Sequence, residues 1–141
     1  MTTGVEMDIE LDPMSPVPIY QQIRDRIVEG IAYGELTTGT TLASVRALSS
    51  AFGVNPATVV KAYDLLRRDG FVHTNRRSGS VIARDVTSPP REDVIEDWRA
   101  RLLPVLAEAR ANGMSPSRIV AECDSVAQGF VADGVQMQGE S

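Results

Sequence analysis

Residues 44–83 read SVRALSSAFGVNPATVVKAYDLLRRDGFVHTNRRSGSVIA, and the order of signals in this stretch decides the fold. Ser44 is a helix N-cap ahead of Val45, Leu48 and Phe52, which recur at helical spacing and make one apolar face. Gly53 turns the chain, and Val54 plugs the angle that follows. Asn55 caps a second helix with Pro56 at its first position, where a missing N–H costs nothing. Val59, Ala62, Tyr63 and Leu66 give this helix an inward stripe as far as about Asp69, and Gly70 stops it. Two short strands, 71–75 and 80–84, are then joined by Arg76-Arg77-Ser78-Gly79. The pattern is a helix pair followed by a hairpin with a cationic tip.

Working outward, residues 1–15 read as a flexible lead-in punctuated by Pro13, with Pro16 and Pro18 close behind. Ile19, Ile23, Ile27 and Ile31 recur every four positions and predict an amphipathic helix ended by Gly34. Residues 36–39, Leu-Thr-Thr-Gly, read as a turn leading to Leu42. Beyond 84, Thr87-Ser88-Pro89-Pro90 marks a linker, followed by two more helical patterns. Ile95, Trp98, Leu102, Val105 and Ala109 form one stripe, closed by Asn112-Gly113, and Pro104 is expected to kink or divide that helix. Ser115-Pro116 opens the next, with Ile119, Cys123, Val126 and Phe130 inward and fraying from Gly134. The predicted architecture is mainly α with a small β-hairpin wing. It comprises a winged helix-turn-helix domain at 15–85 and a two-helix tail at 91–133.

The net charge of −5 first argues against a polyanionic partner, but the distribution reverses that impression. Residues 15–85 carry nine Lys/Arg against six Asp/Glu, whereas the segments on either side are acidic. Local potential steers association more than the total charge does. The single cysteine, Cys123, cannot form an internal disulfide and falls on an apolar stripe, where it reads as core. With no export leader and no apolar run of about 18 residues, the expectation is a cytoplasmic protein without a membrane partner. His73 is the sole histidine and has no adjacent nucleophile motif, and Gly39-Thr40-Thr41 lacks the Lys and spacing of a phosphate loop. No catalytic residue, cofactor or metal is expected. Glu92, Asp93, Glu96 and Asp97 stand at i, i+4 spacing, but acids in a first helical turn follow from the helix dipole alone.

A rod beside a basic finger has the shape that enters a DNA major groove while touching the flanking backbone. Short side chains at the leading turn let the backbone approach base edges, and Asn55, Pro56, Ala57 and Thr58 meet that demand. Asn pairs with adenine, and Ala or the Thr methyl meets a thymine methyl. Lys61 lies one turn on, in reach of a base or phosphate. Arg46 is the candidate for a fixed backbone or guanine contact, and the Ser44 and Thr58 hydroxyls are phosphate donors. Arg76, Arg77, Ser78 and Gly79 are assigned to phosphate or minor-groove contact. Taken singly, Ser44 and Asn55 read as caps, and Arg67-Arg68 as a dipole-favoured helix end.

Residues 17–84 resemble the winged helix-turn-helix domain of the GntR family of bacterial transcription regulators. The matching pieces are Pro18-Ile19-Tyr20-Gln21-Gln22-Ile23, Gly34-x-Leu36-x-x-Gly39, Leu42-x-Ser44-Val45-Arg46-x-Leu48, Gly53-Val54-Asn55-Pro56-x-Thr58-Val59, Ala62-Tyr63-x-x-Leu66 and Asp69-Gly70-Phe71-Val72. The resemblance implies operator contacts at Ser44, Arg46, Asn55, Ala57, Thr58 and Lys61, and a wing at Arg77, Ser78 and Gly79. Thr38 and Ala43 stand where the family usually has proline, and His73 where a small acid or polar residue is common. The short tail resembles that of the YtrA-like branch.

Two amphipathic helices enclose little core, so their apolar faces need a partner. Trp98, Leu102, Val105 and Leu106, with Ile119, Cys123, Val126 and Phe130, are the expected seam of a homodimer. The other arrangement is a tail folded back on its own winged domain. The expected function is a repressor binding a palindromic double-stranded DNA operator. Activation stays open, as does a protein-interaction module using the winged surface. An unknown small-molecule effector is compatible with this organisation, but no residue marks its pocket.

Overall fold

The computed structural model describes residues 9–138, in two compact units that divide between Thr87 and Ser88. The first contains α1 (Ile19–Ala32), α2 (Val45–Phe52), α3 (Pro56–Arg68), β1 (Val72–Asn75) and β2 (Gly79–Ile82). Both α1 and α2 pack on α3, and the antiparallel hairpin follows from its end. The isoleucine stripe of α1 goes inward, with Ile23, Ile27 and Ile31 buried and Ile19 half-buried. Leu48 of α2, the whole predicted stripe of α3, and Val72 and Ile82 of the hairpin complete the core. Val45 and Phe52 pack at its edge, half-buried. Gly30 is needed where α1 turns back. The N–H groups of Glu35 and Leu36 both bond its carbonyl, and a Cβ there would lie 2.9 Å from Leu36 Cδ1.

Tyr63 is fully buried, and its hydroxyl donates to the Ala43 carbonyl at 2.6 Å, tying α3 to the entry of α2. Burial pushes the phenol above its ordinary titration range. Tyr63→Phe removes this one bond and is expected to cost about 1 kcal/mol, lowering Tm by roughly 4–8 °C in a calorimetric scan.

Several expectations are corrected. The lead-in is docked from Ile9 onward, where Ile9 enters the core and Leu11 packs against it; residues 1–8 of that segment lie outside the described residues. The anchor is Gln22, a buried amide that sequence periodicity places on α1 without giving it a task. Its oxygen accepts from Asp12 N–H at 2.7 Å, and its nitrogen donates to the Asp12 and Val17 carbonyls, each at 2.9 Å. The first strand starts at 72, because the Phe71 N–H closes on the Leu66 carbonyl and finishes α3 in a left-handed glycine turn at Gly70. The second strand runs 79–82, since Gly79 already pairs with Asn75. The predicted turn before Leu42 continues into an isolated β-bridge. Thr41 bridges Val81, with bonds from Leu42 N–H to Ser80 O and from Ile82 N–H to Thr40 O.

Thr38 gains a role that its departure from the family pattern conceals. Its N–H donates to Asp85 Oδ2 at 2.8 Å, a bond that a proline there lacks. The Thr87 hydroxyl, then the Thr38 and Thr87 N–H groups, hold the Asp85 carboxyl well below the usual carboxylate range.

The second unit holds a 3-10 turn (Glu92–Val94), α4 (Ile95–Ala111) and α5 (Pro116–Gln138). Pro104 does not divide α4, which continues through it. Pro104 and Ala100, whose carbonyl loses its partner, are both exposed, so solvent serves that group. Ser115 caps α5 by accepting from Arg118 N–H, and α5 is helical past the expected fraying point at Gly134. No side chain of α4 is buried. Cys123 is exposed instead of core, because only one helix packs near α5 within the unit and their contact is slight.

Candidate nucleic-acid interface

The leading end of α3 is built by its cap. Asn55 is extended, and its side-chain oxygen accepts from Ala57 N–H at 2.8 Å, while Pro56 occupies the first turn. The cap therefore consumes the oxygen that a two-point contact with adenine needs, and the amide nitrogen is left to donate. Asn55, Pro56 and Ala57 are exposed and Thr58 is half-buried. The turn before them is clamped by Ser49. Its carbonyl accepts from Gly53 and Val54 N–H groups, and its hydroxyl donates to Val54 O. Gly53 sits at φ 66, the left-handed conformation that makes so tight a connection.

Ser44 caps α2 by accepting from Ala47 N–H at 3.0 Å. Arg46, in the first turn of α2, is exposed and has no partner among the described residues. Lys61 is exposed too, but its ammonium lies over the Tyr20 ring, 4.0 Å from the centroid. This cation–π contact is worth about 0.5–1 kcal/mol at exposed sites.

The wing loop is folded by Asn75, whose side-chain oxygen accepts from Arg77 N–H at 2.8 Å and Ser78 N–H at 3.3 Å. Arg76, Arg77, Ser78 and Gly79 are all exposed, and neither guanidinium has a partner among the described residues. Gly79 adopts φ 78 with open space where a Cβ would stand, so its requirement is conformational and not steric. Gly79→Ala is expected to destabilise the winged unit by about 1–2 kcal/mol, measurable by urea unfolding.

Sequence reasoning missed the struts between reading elements. Arg67 bonds Asp64 on α3 and reaches Thr74 Oγ1 of β1 at 3.0 Å, tying the hairpin to α3. Arg24 of α1 bridges Asp25 and Asp69, both at 3.2 Å, and lies against Phe71. The Asp64–Arg67 spacing is a legible signal; the contacts over 45 residues of chain are not. Among the described residues, no group of three or more His, Cys, Asp or Glu gathers to hold a metal, and no helix is long and apolar enough to cross a membrane.

This geometry has known relatives. The family model for bacterial regulatory proteins of the gntR family matches residues 19–82. The HTH-type transcriptional repressor YtrA of Bacillus subtilis (strain 168) is 32% identical over 111 residues, covering 79% of this chain and 85% of that protein. The chain belongs to the GntR family. The GntR-family fold is equally clear in solved structures. A transcriptional antiterminator from Listeria monocytogenes EGD-e superposes with a TM-score of 0.77 at 29% identity, over 86% of this chain and 91% of that one. YtrA from Sulfolobus acidocaldarius, a GntR-family transcription factor, gives 0.58 at 39% identity, over 73% and 97%. As a GntR-family member this protein is a transcriptional regulator with a winged helix-turn-helix domain and not an enzyme.

Proposed function

We propose that this GntR-family regulator is a repressor that binds a palindromic double-stranded DNA operator as a homodimer. The observation that carries the DNA reading is the set of exposed, unpartnered cations, Arg46 on α2 and Arg76 and Arg77 in the wing loop, in the same unit as an exposed leading end of α3. Cations without internal partners are available to phosphates, and the short side chains at the start of α3 admit the backbone to base edges. Ser44, Asn55, Pro56, Ala57, Thr58, Lys61, Ser78 and Gly79 complete the contact surface. The repressor sense is carried over from the similar YtrA of Bacillus subtilis. A regulator acting on operator DNA works in the cytoplasm.

The dimer reading rests on the tail. Trp98, Val105 and Val126 are 52%, 61% and 67% exposed, and Leu102, Leu106, Ile119 and Phe130 are only half-buried. So much accessible apolar surface on two long helices favours a second copy, whose two-fold axis buries both faces and sets two α3 helices one DNA turn apart, roughly 34–36 Å. Cys123 lies on the same stripe of α5. The test is operator affinity against salt for the full chain. Each phosphate contact contributes a log–log slope of about −0.9, so affinity must fall steeply between 50 and 200 mM, in about those limits. Salt-independent affinity would favour docking to a protein.

A further inference from the structure

Most of the exposed face of α3 is polar or small, and one residue on it breaks the pattern. Val60 is 41% exposed, and among the described residues of the winged unit it alone of the exposed large apolar side chains sits on a helix. It follows the exposed Ala57 at i+3, on the flank that also carries Arg67, which bonds the wing strand. The inward residues Val59, Ala62, Tyr63 and Leu66 form the core face of the helix, and Val60 lies outside the hydrophobic core cluster. A β-branched residue also lowers helix propensity slightly relative to alanine.

We infer that Val60 is a specificity-determining residue that reads a thymine 5-methyl group in the major groove. The inference deepens the operator reading above and rests on it. The methyl is the sole apolar feature a base pair shows in that groove, and it is absent from every pair but A·T. Val60 and Ala57, both exposed and one helical turn apart, together present an apolar strip that begins beside the Asn55 cap. Such a surface prefers a thymine methyl to the polar edges of guanine or cytosine. Each half-site of the operator therefore carries a thymine under Val60, at a position that neither Arg46 nor Asn55 specifies.

The experiment uses the full chain and an operator duplex found by selection from random sequence. Each thymine in one half-site is replaced in turn by deoxyuridine, which deletes the methyl and keeps the pairing. Affinities are measured for the parent and for Val60→Ala, an exposed change that leaves thermal unfolding in place as a fold check. The parent is expected to lose about three- to fourfold at one thymine, the effect of one buried methyl-sized group. In Val60→Ala that loss disappears, while losses at other thymines persist. Equal losses in both proteins at every thymine overturn the role of Val60 and leave DNA binding standing. Salt-independent or absent binding of the duplex by the parent overturns the operator reading and this inference with it.

Discussion

Trp98→Ala combined with Phe130→Ala is expected to convert the protein to monomers. Trp98 is half-exposed and Phe130 only half-buried, and the proposed seam covers what remains accessible of both. Truncating a large aromatic anchor at an interface costs about 2 kcal/mol or more, and a two-fold axis repeats each loss. Allowing for non-additivity, the dimer dissociation constant rises by roughly four powers of ten or more. Sedimentation equilibrium measures this directly, with circular dichroism confirming that α4 and α5 stay helical. An unchanged dimer at the same concentration removes the seam from the α4–α5 face. Monomers also lose the second half-site, so operator affinity falls with them.

Arg46→Ala is expected to weaken operator binding by about 1–3 kcal/mol in each half-site, and twice that for a dimer on a palindrome. The side chain is exposed and bonded to nothing among the described residues, so its removal leaves the fold intact. The salt dependence separates two roles. If Arg46 neutralises a phosphate, the slope falls by about 1 per half-site and all sequences suffer equally. If it pairs with guanine, the slope changes little and selectivity relaxes at one position. Parental affinity in a normally folded variant removes Arg46 from the interface.

The winged unit was legible because its local signals agree with its packing. Each predicted inward residue of α3 is buried, Ser44 and Asn55 cap through their side chains, and Gly53 and Gly70 turn left-handed. What escaped reading depends on contacts between distant segments. Gln22 holds the lead-in by three hydrogen bonds, yet in sequence it is a polar residue beside an apolar stripe. The bridge at Thr41 needs β2 beside it, and nothing in Leu-Thr-Thr-Gly announces that pairing. The contact of Lys61 with the Tyr20 ring spans 41 residues of chain, beyond what local spacing reveals. In the tail the periodicity located both helices. It could not tell a buried stripe from an uncovered one, which is why Cys123 was placed in a core that one chain does not form.

The most direct measurement is an amide NMR titration of the labelled protein with its operator duplex. Shift changes are expected to concentrate at 44–46, at 55–61 and at 76–79, with the tail amides unaltered beyond the slower tumbling of the complex. Changes confined to the tail or to α1, with the first turn of α3 and the wing loop unmoved, contradict the proposal that this helix and this hairpin read DNA.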